Sequence, residues 1–148
     1  MACRHDGTFI NPSQFYAWGE DFMPPPALDG LRILVVEDEP IIALHIAHTL
    51  AEAGAEVVGP AATVARALRL MDCSQVDAAV VDYRLEGETA SLLAHRLAAM
   101  RVPFFFHTSS GNNPGLMHPG VPILNKPSRP EQLVAAVCDL TRQTERSG

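Results

Sequence analysis

The chain has 148 residues, enough for one domain with a substantial core. A hydrophobic share of 47% against 19% charged residues is typical of a globular protein rather than a disordered one. The net charge of −6 argues against a direct nucleic-acid partner, because phosphate backbones are bound by clustered Lys and Arg. There is no run of roughly 18 apolar residues for a membrane span and no apolar signal-peptide segment. The three cysteines lack C-x-x-C spacing, so we expect reduced thiols and a cytoplasmic location. Because the sequence has no membrane span, we also expect no membrane partner.

Residues 1–30 differ in composition from the rest of the chain. Five aromatic residues lie between Phe9 and Phe22, and the proline run Pro24 to Pro26 follows them. A proline run favours extended geometry and indicates a boundary just before a folded domain. So many aromatic residues are unusual for a solvated tail, so the arm is expected either to pack on the domain or to dock on a partner or second copy. We predict an arm over 1–30, a domain over 31–143 and a tail over 144–148.

From Leu31 onward, short apolar runs alternate with helical patterns. Strands are predicted at 31–36, 55–59, 77–81, 103–107 and 121–124, because continuous apolar runs of this length are typical of strands buried on both faces. Strands that alternate with helices form right-handed βαβ units. The predicted fold is therefore α/β, a doubly wound five-stranded parallel sheet of the flavodoxin-like order 2-1-3-4-5.

The helix boundaries are predicted from capping residues. Pro40 suits the first turn of the first helix, Gly54 suits its C-terminal end, and Thr63 suits the cap of the second. A third helix is expected from about Thr89 to Met100, and a capping box at Ser128 to Glu131 begins the last. The expected packing faces are Ile41, Leu44, His45, His48 and Ala51; Val64, Ala67, Leu68 and Met71; Leu92, Leu93 and Leu97; and Leu133, Val137 and Leu140.

One interval breaks the alternation of strands and helices. Residues 108–120 contain three glycines, two prolines and two adjacent asparagines where a fourth helix is due. Gly and Pro oppose helix formation by about 1 and 3 kcal/mol respectively. We therefore predict that the fourth helix is replaced by a loop or by one helical turn.

Polar residues follow the ends of four predicted strands. Glu37 and Asp38 follow the first strand, and Asp82 follows the third. Thr108 ends the fourth strand, and Lys126 follows the fifth. Ligands bind at this edge of an open α/β sheet, so these side chains are expected to converge there. Each one has an ordinary alternative as a solvated acid, a turn cap or a surface lysine, but their joint order favours a site.

The charges of this set indicate phosphoryl transfer to a carboxylate. Three acids repel one another, so a bound cation is the natural resolution, and Mg²⁺ prefers oxygen ligands. Asp82 is then expected to be the nucleophile that forms an acyl phosphate. Lys126 and Thr108 are expected to interact with the oxygens of the transferring phosphoryl group.

Four motifs resemble the receiver domains of two-component response regulators. ILVVEDEP resembles the acidic strand end, AAVVDYRL the phosphoacceptor strand, PFFFHT the strand ending in the switch hydroxyl and ILNKP the lysine-proline step. The resemblance implies Asp82 as phosphoacceptor with Thr108 and Lys126 beside it. It also implies a Mg²⁺ site made by Glu37, Asp38, Asp82 and the backbone carbonyl of Arg84.

The resemblance also implies partners, and the chain differs from the family at one notable position. It implies a phosphoryl donor, either a histidine kinase or a histidine phosphotransfer protein, and an unidentified downstream protein. No output domain is recognised, so the chain is expected to be a single-domain response regulator that signals through protein contacts; a homodimer is left open. Ile123 stands where the family usually has an aromatic switch residue. The PFFFHT strand is similar to a stand-alone branch that lacks this switch.

Three alternatives compete with this interpretation. A degenerate receiver would keep the fold and act as a phosphate-independent adaptor, but the full set of site residues argues against it. An aspartate-nucleophile phosphatase would carry a second carboxylate two residues after its nucleophile, where this chain has Arg84. A flavodoxin-like cofactor binder would need a phosphate-binding loop after the first strand, where this chain has the acidic sequence EDEP.

Overall fold

The computed structural model describes residues 2–3, 9–10, 26–109 and 113–147. The backbone of Ala2–Cys3 pairs with that of Phe9–Ile10 in a short antiparallel ribbon. The aromatic side chains of the predicted arm lie outside the described residues, so their role stays a prediction. Leu28 is fully buried, so the last residues of the segment assigned to the arm pack with the domain.

Five strands form the central sheet. They are β1 (Arg32–Val36), β2 (Glu56–Ala61), β3 (Ala78–Val81), β4 (Phe104–Thr108) and β5 (Ile123–Asn125). All neighbours pair in parallel, in the order β2-β1-β3-β4-β5, which confirms the predicted doubly wound sheet. The order reverses between β1 and β3, so a crevice opens at the carboxyl ends of these two strands.

Four helices cover the two faces of the sheet among the described residues. They are α1 (Pro40–Glu52), α2 (Val64–Cys73), α3 (Ser91–Ala99) and α4 (Pro130–Ser147). Residues of α1 and α4 share one apolar cluster with one side of the strands, and residues of α2 and α3 share a second cluster with the other side. None of the described helices combines the length and apolar character needed to cross a membrane.

Three of the predictions about helix ends are confirmed, and the first is that Pro40 begins α1. The Thr63 side chain accepts a hydrogen bond from the Arg66 backbone N–H at 3.1 Å, at the start of α2. Gly54 follows α1 with φ +97°, and a Cβ there would lie 2.6 Å from the Cβ of Pro26. Glycine is therefore required at this position for both its backbone angle and the close approach of the entering chain.

The predicted packing face of α1 is wrong, because all five of its residues are exposed, and that of α3 is partly wrong. Ile41 and Leu44 are 79% and 71% exposed, and α1 instead buries Ala43, Ile46, Thr49 and Leu50. Leu92 of α3 is 64% exposed, although Leu93 and Leu97 are buried as predicted. Apolar residues occur on more than one side of each helix, so periodicity alone does not select the face that meets the sheet.

The start of α4 also differs from the predicted capping box. The Ser128 hydroxyl contacts the His107 ring at 2.8 Å instead of capping the helix. The Arg129 backbone N–H donates to Gln132 Oε1 at 2.8 Å, so the reciprocal bond forms one residue later. The burial of Leu133, Val137 and Leu140 is as predicted.

No full helix connects β4 to β5 within the described residues. Residues 113–120 contain a single 3₁₀ turn at Pro114–Leu116, as the glycine and proline content predicts. Leu116 and Met117 are exposed, whereas His118 is buried. The turn is therefore held by the buried Pro114 and His118 side chains, and its exposed apolar side chains face outward.

Candidate phosphoacceptor site

Strand pairing brings Glu37 and Asp82 together at the crevice. The Asp82 N–H donates to the carbonyl of Val36, and the Glu37 N–H donates to that of Ala61, each at 2.9 Å. These bonds extend the ladder just beyond the strands, so both acids are held by backbone rather than by a free loop. The side chains of Glu37 and Asp82 are nearly buried, at 1% and 7% exposure respectively.

Lys126 bridges the two buried acids. Its Nζ lies 2.9 and 3.0 Å from the two carboxylate oxygens of Glu37 and 3.1 Å from Asp82 Oδ2. The Lys126 N–H donates to the Thr108 carbonyl at 2.8 Å, which fixes the residue to the end of β4. The side chain is 13% exposed, so the alternative of an ordinary surface lysine is wrong.

The site has more acidic groups than cations. Glu37, Asp38 and Asp82 each offer a carboxylate oxygen, and these oxygens lie within 4.8 Å of one another. Burial and the hydrogen-bonded contact with Asp82 raise the pKa of Glu37 to about 8, against the opposing effect of Lys126. Burial lowers the pKa of Lys126, but its hydrogen bond with Glu37 and the nearby acids raise it to a net value above normal. The positive charge of Lys126 is therefore too small to balance the negative charge of the three carboxylates.

These residues fit a magnesium ion. Mg²⁺ takes oxygen ligands and keeps several waters, so three converging carboxylates supply a sufficient donor set. Asp38 is partly exposed at the rim, which leaves an open side for water. The raised pKa of Glu37 reports a charge deficit that a divalent cation would correct. The Arg84 N–H lies 3.3 Å from Asp82 Oδ1, which places the backbone expected to supply a carbonyl beside the acceptor.

Thr108 stands apart from the ion pairs. Its side chain is fully buried, and its hydroxyl oxygen has no hydrogen-bond partner among the described residues. A buried hydroxyl without a partner costs roughly 1–3 kcal/mol, so it indicates an acceptor that arrives with a ligand. The structure thus gathers Glu37, Asp38, Asp82 and Lys126, with Thr108 at the end of the adjacent strand.

A family model described as the response regulator receiver domain matches residues 33–138. The chain belongs to this family. A solved structure similar to this receiver domain is the solution structure of SdrG from Sphingomonas melonis Fr1, at 33% identity and a TM-score of 0.66, covering 74% of this chain and 95% of SdrG. No curated protein matches the chain.

Two further structures show the same receiver fold. A response regulator receiver protein from Sinorhizobium medicae WSM419 is 25% identical, with a TM-score of 0.69, over 79% of this chain and 98% of that protein. The response regulator PhyR from Brucella abortus is 26% identical, with a TM-score of 0.68, over 78% of this chain and 49% of PhyR. The similarity to PhyR therefore concerns about half of that longer protein.

The structure also contains a groove beside the receiver site that was not predicted from the sequence. It has a volume of about 460 Å³ and lies between the start of α1 and the segment joining β5 to α4. His107 and Ser128 line it and share their hydrogen bond there, while Ile41 and His45 contribute the α1 side. The pattern could have indicated His107, because a histidine within an apolar strand run is unusual, but its partner depends on a loop.

Proposed function

We propose that this receiver domain accepts a phosphoryl group on Asp82 from a phosphohistidine donor and signals through protein contacts. The observation that carries the proposal is the contact of Lys126 with both Glu37 and Asp82 at the carboxyl edge of the sheet. A buried ion pair needs only one carboxylate, whereas this site holds extra carboxylates and, within the part of the chain that the structure describes, a Thr108 hydroxyl without a partner.

The residues suit distinct parts of an in-line transfer. As the phosphorus–nitrogen bond of the donor breaks, a phosphorus–oxygen bond forms to the Asp82 carboxylate, and the donor imidazole leaves. The Lys126 ammonium lies 3.1 Å from Asp82, close enough to donate to a phosphoryl oxygen once the carboxylate is esterified. The Thr108 hydroxyl gains the acceptor that it lacks.

Glu37, Asp38, Asp82 and the Arg84 carbonyl would hold Mg²⁺. When bound, the ion offsets the negative charge that gathers on the carboxylates and on the equatorial phosphoryl oxygens. The protein's own contribution is a rigid, mostly buried pocket, in which backbone bonds at 2.9 Å fix both strand ends before the donor arrives.

The α1 side of the site supports docking of a protein donor. A phosphohistidine reaches Asp82 only if its carrier covers the crevice, and Ile41 and Leu44 of α1 stay largely exposed there. The apolar groove lies next to the same helix end. A histidine kinase or a histidine phosphotransfer protein presents its phosphohistidine on a protein surface, so exposed apolar residues beside the pocket fit such a partner. A cytoplasmic location is part of this proposal.

The test is phosphorylation by acetyl phosphate with Mg²⁺, read by intact mass. We expect wild type to gain one phosphoryl group and Asp82→Asn to gain none. Asp77→Asn is the matched control, because Asp77 is exposed at the opposite end of the same strand and should leave labelling unchanged. Equal labelling of wild type and Asp82→Asn contradicts the assignment. Folded wild type that binds Mg²⁺ but never labels supports the phosphate-independent adaptor instead.

A further inference from the structure

The His118 ring packs against the strand that ends at Thr108. Phe106 and Thr108 share one face of β4, because alternate residues of a strand point the same way. The centroid of the His118 ring is 5.5 Å from that of Phe106, and the side chain is 9% exposed. Ile123, by contrast, is aliphatic and 40% exposed at the sheet edge. Two rings therefore pack on Phe106 at this end of β4, that of Tyr83 at 5.3 Å and that of His118 from the 113–120 loop.

The His118 ring also contacts the segment that follows the phosphoacceptor. Its centroid lies 6.2 Å from that of Tyr83, the residue after Asp82. Its Nε2 shares a hydrogen bond of 3.0 Å with the Ser91 hydroxyl at the start of α3. The Ala90 N–H donates to the Tyr83 carbonyl at 2.8 Å, so these two contacts belong to one connected backbone segment. One imidazole thus joins β4, the loop after Asp82 and α3.

The exposed part of the loop is tied to this ring. The His118 N–H donates to the Pro114 carbonyl at 2.8 Å, which closes the turn that carries Leu116 and Met117. These two side chains are 80% and 68% exposed. A displacement of His118 therefore moves an exposed apolar surface.

We propose that His118 is a positioning residue that transmits phosphorylation of Asp82 to the surface of the 113–120 loop. The proposal rests on the function proposed above and names its regulation. In the unphosphorylated state the Ser91 hydroxyl holds the ring. When the phosphoryl group arrives, the Thr108 hydroxyl, which has no partner among the described residues, turns toward it and shifts the end of β4 that carries Phe106. The ring moves inward, the bond to Ser91 breaks, and the exposed pair of the turn changes position.

The experiment follows the ¹³C-methyl resonance of Met117, assigned by Met117→Leu, before and after beryllofluoride and Mg²⁺. Acetyl phosphate labelling of Asp82 is measured on the same samples. We expect the Met117 resonance to shift in wild type. His118→Ala should label like wild type, because it lacks contact with the reacting groups, yet lose the Met117 shift. His48→Ala, an exposed histidine of α1, is the control and should behave as wild type.

Two further variants test the Ser91 bond without emptying the ring site. Ser91→Ala keeps the imidazole, and His118→Phe keeps a ring of similar size, but neither can form the hydrogen bond. Both should displace the Met117 resonance toward the activated position before any phosphoryl mimic is added. Because the ring packing is retained, these variants are informative even where His118→Ala folds poorly.

The outcomes separate this inference from the proposed function. A Met117 shift that survives in labelled His118→Ala overturns the coupling, as does a wild type that labels on Asp82 without any Met117 shift. Ser91→Ala and His118→Phe resonances that stay at the wild-type position overturn the role of the Ser91 bond. Failure of wild type to label on Asp82 removes the proposed function, and this inference with it.

Discussion

Replacing Lys126 by methionine removes the cation that holds the centre of the acidic site. Its Nζ contacts Glu37 at 2.9 and 3.0 Å and Asp82 at 3.1 Å. Both acids are at least nine-tenths buried, so Lys126→Met leaves them without their described cationic contact. Removal of one partner from a buried ion pair costs about 3–5 kcal/mol. We expect a loss near 3 kcal/mol at pH 7, because Glu37, with its raised pKa, can take up a proton.

The assay is urea unfolding in EDTA at pH 7 and pH 9. An acid whose folded-state pKa is raised retains a proton that the unfolded state has lost, so its stabilising effect disappears as the pH rises. The pKa of Glu37 is about 8 with Lys126 present and is expected to rise further without it. The deficit of Lys126→Met should therefore be larger at pH 9 than at pH 7.

The matched control is Arg96→Met. Arg96 pairs with Asp72 at 3.2 Å, and the two side chains are 50% and 63% exposed. Exposed pairs of this kind contribute about 0–1 kcal/mol, so the control should lose little. In an Asp82→Asn background, the loss caused by Lys126→Met should shrink, because one buried carboxylate is gone. Equal small losses for Lys126→Met and Arg96→Met would refute the electrostatic account of the site.

Three further predictions concern stability. Burial and the charge of Lys126 lower the pKa of His107 to about 4, so the unfolded state gains a proton first as the pH falls. Relative to His107→Gln, wild type should therefore lose up to about 3 kcal/mol between pH 6.5 and pH 4, because both proteins share the opposing contribution of Glu37; equally steep urea-unfolding profiles for the two proteins would contradict this. Thr63→Ala should cost about 1 kcal/mol in urea unfolding through the lost helix cap; an unchanged midpoint would argue against it. Leu97→Ala should cost about 2–5 kcal/mol, and Leu92→Ala less than about 0.5, by the same assay; similar losses would reject the observed α3 face.

The sheet could be predicted because its signals are local. The inner strands β1, β3 and β4 each contain a continuous apolar run, such as Ala78–Val81, and both faces of the sheet are covered by helices. The location of the site could be predicted from this sheet, because parallel strands place their carboxyl ends at one edge. The order of Glu37, Asp82 and Lys126 along the chain was thus sufficient to predict that they meet. Their distances and the pKa of Glu37 depend on burial that sequence spacing does not report.

The faces of α1 and α3 could not be predicted in the same way. A helix with apolar residues on several sides satisfies more than one periodic pattern, as Leu92 and Leu93 illustrate. The sheet selects the face with the better fit, and the other apolar residues stay in solvent. At Ile41 and Leu44 this leaves an exposed surface beside the groove, which is why the donor-docking proposal came from the structure rather than from the pattern.

Two imidazole–hydroxyl bonds show why the proposed signalling route could not be predicted from the sequence. His107 reaches Ser128 at a separation of 21 residues, and His118 reaches Ser91 at a separation of 27. No periodicity relates the members of either pair, because each bond depends on the path of a loop. The first ring extends from β4 itself, and the second packs on Phe106 of the same strand. A displacement of the end of β4 at Thr108 would therefore act on two separate hydrogen bonds, one beside the α1 groove and one in the 113–120 loop. Neither effect requires an aromatic residue at position 123.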